Sequence, residues 1–100
     1  MGWVNIKIYT WLSEGFPGRT LTSVTLREPF KEGESLRDLF NHLSLTYPRF
    51  GEVIFDRQAQ HLYPHVNYIY RGKAADPWKD LERKVEDGDE IAFIPIYAGG

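Results

Sequence analysis

Gly33-Glu34-Ser35-Leu36-Arg37-Asp38-Leu39-Phe40-Asn41-His42-Leu43-Ser44-Leu45-Thr46-Tyr47-Pro48 is the stretch that decides the layering of the fold. Its apolar residues Leu36, Leu39, Phe40, Leu43 and Tyr47 recur at spacings of three and four, which lines them along one face of a helix. Ser35 stands where an N-cap is needed, and Asp38 places negative charge near the positive end of the helix. Pro48 closes the element, because its ring disfavours a helical residue before it and supplies no N–H. The spacing predicts a helix near residues 36–47 with a single apolar stripe. His42 falls off that stripe and is expected in solvent. A one-sided stripe requires a second layer to cover it.

The rest of the chain supplies that layer as strands. Upstream, Val4, Ile6 and Ile8 alternate with Trp3, Asn5, Lys7, Tyr9 and Trp11, the period of two that marks a strand. A turn-forming run from Ser13 to Arg19 follows, and then a β-favouring run from Thr20 to Glu28 with Leu21, Val24 and Leu26. Two such runs around a short Gly/Pro loop predict an antiparallel hairpin, with strands near 3–12 and 20–28. Gly15-Phe16-Pro17-Gly18 is not a phosphate-binding loop, since no lysine follows in register and no helix opens there. Downstream, Arg49 to Pro64 leaves two readings open: Val53-Ile54-Phe55 fits a short strand or a loop packed inward. Val66 to Tyr70 reads as a strand closed by Arg71-Gly72, and Asp76 to Leu81 as a loop with one helical turn. Glu86-Asp87-Gly88-Asp89 reads as a turn into a last strand near 90–96. The expected core is Val4, Ile6, Ile8, Val24, Leu26, Leu36, Leu39, Phe40, Leu43, Ile91 and Phe93.

Hairpin, helix, strand, turn and final strand make an α+β structure, a mixed sheet with one main helix packed across it. The β-grasp fold satisfies this order, with the first and last strands parallel at the centre of the sheet. One hundred residues, of which 42% are hydrophobic and 15% aromatic, fit a single domain over residues 1–100. A net charge of -2 leaves no basic footprint, so nucleic acid is not an expected partner. Apolar stretches are interrupted by Lys7, Glu14, Arg27 and Asp38, so no membrane association is expected. Met1 to Asn5 lacks the basic opening and apolar core of a secretory signal, and the chain has no cysteine; a cytoplasmic location is expected. Histidines 61 and 65 stand four apart, but Pro64 between them breaks the helix that a paired metal site would need, and no metal is expected.

The function is read from the last segment, Glu86-Asp87-Gly88-Asp89-Glu90-Ile91-Ala92-Phe93-Ile94-Pro95-Ile96-Tyr97-Ala98-Gly99-Gly100. An acidic turn with glycine, an apolar strand with a proline near its end and a closing Ala98-Gly99-Gly100 resemble the small subunit of molybdopterin synthase and its ubiquitin-like sulfur-carrier relatives. Pro64 to Gly72 and the helix start at Gly33 to Leu36 extend the resemblance, which is specific over the last third and architectural elsewhere. The resemblance implies that Gly100 is the working residue. Its carboxylate is joined to AMP by an adenylating, ubiquitin-activating-like enzyme that uses ATP, then converted to a thiocarboxylate that donates sulfur in molybdenum- or tungsten-cofactor synthesis. It also implies a large synthase subunit as partner, no cofactor bound by the chain itself and no catalytic activity of its own. Gly99 and Gly100 lack Cβ atoms and so suit a narrow channel. The tail at 97–100 reaches about 13–14 Å when extended. A protein modifier conjugated to lysines through Gly100, a β-grasp interaction module and a thiamine-pathway carrier, usually shorter, are the alternatives.

One surface remains. With Val4, Ile6 and Ile8 inward, Trp3, Tyr9 and Trp11 face away from the helix. Together with Ile94, and ringed by Asp87 and Asp89, they are expected to contact a partner. The alternative is that the segment from Arg49 to Pro64 folds over them as a minor core. Asp87 and Asp89 sit in a glycine-containing turn and are read as solvated turn formers or an acidic docking patch, not as an acid–base pair.

Overall fold

The computed structural model describes residues 2–96. Its first strand, β1 (Gly2–Tyr9), buries Val4, Ile6 and Ile8 and turns Trp3, Asn5 and Lys7 outward, as the alternation demands. It pairs antiparallel with β2 (Ser23–Phe30), setting Ile6 opposite Leu26 and Ile8 opposite Val24. Both strands depart from their expected bounds. β1 stops at Tyr9 because Thr10 adopts φ 55°, and the left-handed residue turns the chain into a single 3-10 turn at Thr10–Ser13. Trp11 therefore leaves the strand. β2 begins three residues late and runs on to Phe30, which leaves Leu21, expected inside it, exposed in the connecting loop.

Helix α1 (Leu36–Thr46) starts as its sequence requires. The Asp38 N–H donates to Ser35 Oγ at 3.2 Å and the Ser35 N–H to Asp38 Oδ2 at 3.0 Å, a reciprocal cap. Leu36, Leu39, Phe40 and Leu43 are buried. Pro48 ends α1 and also opens α2 (Pro48–Val53), where the first turn has no use for its missing N–H. This helix settles the open segment. It carries Phe50 against Phe40 and Phe93, with ring centroids 5.9 and 5.4 Å apart, and leads into a hairpin of β3 (Phe55–Asp56) and β4 (His61–Leu62).

The remaining strands are β5 (Val66–Tyr70), β6 (Lys73–Ala74) and β7 (Glu90–Pro95). The main sheet has the order β2-β1-β7-β5-β6. β7 lies parallel to β1, with Ile8 beside Phe93, and antiparallel to β5, with Tyr68 beside Phe93. This is the ubiquitin-like β-grasp that the element order predicts. Every expected core residue is buried, joined by Phe50, Ile54, Phe55, Tyr68 and Tyr70. Phe40 is the hub: it meets Phe55, Tyr68 and Phe93 edge-on at 5.7, 5.6 and 5.3 Å. Among the described residues no helix is long and apolar enough to cross a membrane.

Candidate functional site at the tail root and the outer sheet face

Ala98, Gly99 and Gly100, with Tyr97, lie outside the described residues, and the site is built from the root that carries them. β7 is an interior strand, paired with β1 as far as Phe93 and with β5 as far as Pro95, so β5 holds its end. Beyond it the Ile96 N–H donates to the His65 carbonyl oxygen at 2.8 Å, while the Ile96 side chain is exposed.

Three rings stand at this root. The His65 imidazole stacks on Tyr63, 5.6 Å between centroids and 4° between planes, and meets Trp11 at 5.2 Å and 42°. Its Nε2 lies 2.7 Å from the Val53 carbonyl oxygen, which can only accept, so that nitrogen carries the proton. The Tyr63 hydroxyl donates to the Gly51 carbonyl at 2.7 Å. Burial first, and then the Asp56 and Glu52 carboxylates, push the Tyr63 pKa up, so the hydroxyl stays a donor. Neither Tyr63 nor His65 was legible as part of a site. Nothing in their spacing says that they meet Trp11, which lies more than fifty residues upstream.

The expected partner residues do not form one patch. Trp3 is 39% exposed and Trp11 37%, and the segment from Arg49 to Pro64 packs on the helix side, so the minor-core alternative is overturned. Trp3 stands at the start of β1, its N–H donating to Asp87 Oδ1 at 2.9 Å and its ring 4.7 Å from the Arg27 guanidinium. Tyr9 lies at the other end of the strand, about 20 Å away at the usual rise per residue, with the Lys7 ammonium 5.1 Å from its ring. Because β7 runs parallel to β1, the acidic turn shares the end of Trp3, whereas the tail leaves from the end of Tyr9, Ile94 and Trp11. The acidic turn thus stands beside Trp3 alone and does not ring the four residues together.

Asp89 is a correction of a different kind. It is 7% exposed and accepts from the Tyr70 hydroxyl at 2.5 Å, Arg71 Nε at 2.8 Å and the Glu86 N–H at 2.8 Å. Burial alone would raise its pKa, but hydrogen bonds from Arg71, Tyr70 and the Glu86 N–H reverse this and hold it below the usual carboxylate range. Burial and the bond to Asp89 push Tyr70 up in turn. Asp89 is thus neither solvated nor free to meet a partner; it fastens the turn before β7 onto the end of β5. Asp87 is exposed. His61 and His65 occupy separate stacks, since the His61 ring lies 4.6 Å from Trp78.

A protein-family model described as the ThiS family matches residues 16–100, which takes in everything from the hairpin loop through Gly100. No curated protein matches the chain. Among solved structures, SAMP1 from Haloferax volcanii is 26% identical with a TM-score of 0.75, covering 99% of this chain and 100% of its own. A protein assigned as molybdopterin converting factor subunit 1 from Pyrococcus furiosus is 19% identical with a TM-score of 0.70, covering 97% of this chain and 100% of its own. A chain of the Amycolatopsis orientalis BexX/CysO complex is 21% identical with a TM-score of 0.69, covering 97% of this chain and 99% of its own. A β-grasp sheet whose central strand leads into Ala98-Gly99-Gly100, matched from the first loop to the last residue, belongs to the ThiS family of ubiquitin-like sulfur carriers and modifiers.

Proposed function

We propose that this chain is a sulfur carrier whose working group is the Gly100 carboxyl, serving molybdopterin synthesis. The carboxylate attacks the α-phosphorus of ATP in the active site of an adenylating enzyme, giving an acyl-adenylate and releasing pyrophosphate. Hydrosulfide attacks the acyl carbon, displaces AMP and leaves a thiocarboxylate. A large synthase subunit then receives that sulfur. The Gly100 carboxylate is the nucleophile of the first step; the part of the rest of the chain is to hold the tail root still while the tail enters a partner. Tyr9, Trp11 and Ile94 lie at the tail end of the sheet and are proposed to meet the adenylating enzyme. Trp3 and Asp87 are reached only by a partner that spans the whole outer face.

The observation that carries this reading is the family match running through Gly100 on a chain whose last strand is locked into the middle of the sheet. Incubation with ATP, an adenylating enzyme and a sulfur source tests it: intact mass should rise by one sulfur replacing one oxygen. The likeness to SAMP1, a modifier protein by name at 26% identity, favours a second reading in which activated Gly100 is transferred to lysine amines. Conjugates of higher mass, in place of a free thiocarboxylate, would identify that product.

A further inference from the structure

A groove of about 240 Å³ opens beside the tail root, at the sheet edge beyond β5. His61, Tyr63 and Pro64 line it from the β4 side, Pro77 and Trp78 from the loop after β6, and Ile96 is part of its lining. Trp78 is 61% exposed, the most exposed tryptophan of the chain, so its ring is little used by the core. It is nevertheless held in place. Its ring packs on His61, and its backbone N–H donates to Asp76 Oδ1 at 2.8 Å, beside the Lys79 N–H on the same oxygen. An exposed aromatic that is already ordered loses little entropy on contact.

Position says what covers it. Ile96 is the residue from which the tail departs, and the four residues from Tyr97 to Gly100 reach at most about 13–14 Å. An enzyme that closes on Gly100 must therefore bring its own surface up to this groove. Charge on the flanks is balanced, with Glu52 3.7 Å from Arg49 and Asp80 3.8 Å from Arg83, so an apolar contact is what the groove offers.

We propose that this groove is a docking site for the enzyme that activates the tail, and that its occupant is an apolar side chain of that enzyme. The proposal rests on the sulfur-carrier reading of Gly100. It is tested with the full chain, ATP and a purified adenylating enzyme of the ubiquitin-activating type, following AMP formation against carrier concentration. Trp78→Ala should raise KM for the carrier about tenfold or more while kcat stays within about twofold, and Trp78→Phe should recover most of the loss. The thermal midpoint of Trp78→Ala should stay near wild type, and the wild-type Trp78 indole N–H resonance should shift or broaden when the enzyme is added. An unchanged KM in folded Trp78→Ala, with wild type active, overturns the groove and leaves the sulfur-carrier reading standing. A wild-type chain that is never adenylated overturns both. If the only effect of Trp78→Ala is loss of a self-associated species in sedimentation, the occupant is a second copy and the proposal is wrong.

Discussion

The Ile96 N–H and the His65 carbonyl oxygen, 2.8 Å apart, join the end of the last strand to the loop that carries the Trp11–His65–Tyr63 stack. The direction in which the tail sets out is thus coupled to an aromatic cluster assembled from two distant parts of the chain. Trp11→Ala removes one ring of that cluster and one exposed aromatic near the tail. It should weaken binding to an adenylating enzyme by more than about 1 kcal/mol, with Trp3→Ala costing less because Trp3 stands at the far end of β1. Titration calorimetry on both variants decides; equal effects would mean that the partner covers the whole sheet.

Deleting Gly100 should abolish adenylation, and Gly99→Val should block it by widening the tail and restricting its backbone. Chain termini in general contribute little to a packed core, so unfolding midpoints should stay near wild type. Pyrophosphate exchange measured alongside thermal melts separates the two effects.

Phe40→Ala should cost about 3–5 kcal/mol in chemical denaturation. The ring is fully buried and is edge-on to three other aromatics, so its loss leaves a cavity that rigid neighbours fill poorly.

Asp89 sets a pH dependence. Its folded pKa lies below the ordinary 3.8, so its contribution to stability is complete at neutral pH and is lost as pH falls below about 4 toward the folded value. Asp89→Asn should cost about 2 kcal/mol or more at pH 7, because Arg71 and Tyr70 lose a charged acceptor. The gap between wild type and variant should narrow as the solution is acidified through pH 4 and below. Urea denaturation at a series of pH values measures it, and a constant gap would remove Asp89 from the network.

Thr10 combines a left-handed backbone at φ 55° with a buried Oγ1 that finds no partner. The conformation costs a β-branched residue about 1–3 kcal/mol and the unpaired hydroxyl a similar amount, against about 0.5–1 kcal/mol of extra chain entropy for glycine. Thr10→Gly should therefore raise stability by about 1 kcal/mol. A destabilised variant would show that Thr10 packs better than its backbone suggests.

What the sequence made legible was local and periodic. The α1 cap could be read because Ser35 and Asp38 lie three residues apart and cap each other reciprocally. The inward alternation of β1 could be read because neighbouring side chains must point to opposite faces. What was hidden depended on distant partners. Asp89 looked like a solvated turn residue because its ligands Tyr70 and Arg71 lie nineteen and eighteen positions upstream. Trp11 was grouped with Trp3 because alternation carries no sign that Thr10 turns left-handed between them. The opening of α2 at Pro48 did have a signal, since proline is as much at home in a first helical turn as after a last one.

The parallel pairing of β1 with β7 also has a mechanical meaning. Gly2 and Ile96 lie at opposite ends of two adjacent strands that run the same way. Tension drawn between those two points acts along the strands, across hydrogen bonds that lie nearly perpendicular to it. The whole β1–β7 ladder is then loaded in shear, and its bonds must give way together, whereas a hairpin pulled at its open end unzips one bond at a time. Force transmitted through the tail would meet the stiffest direction of the domain.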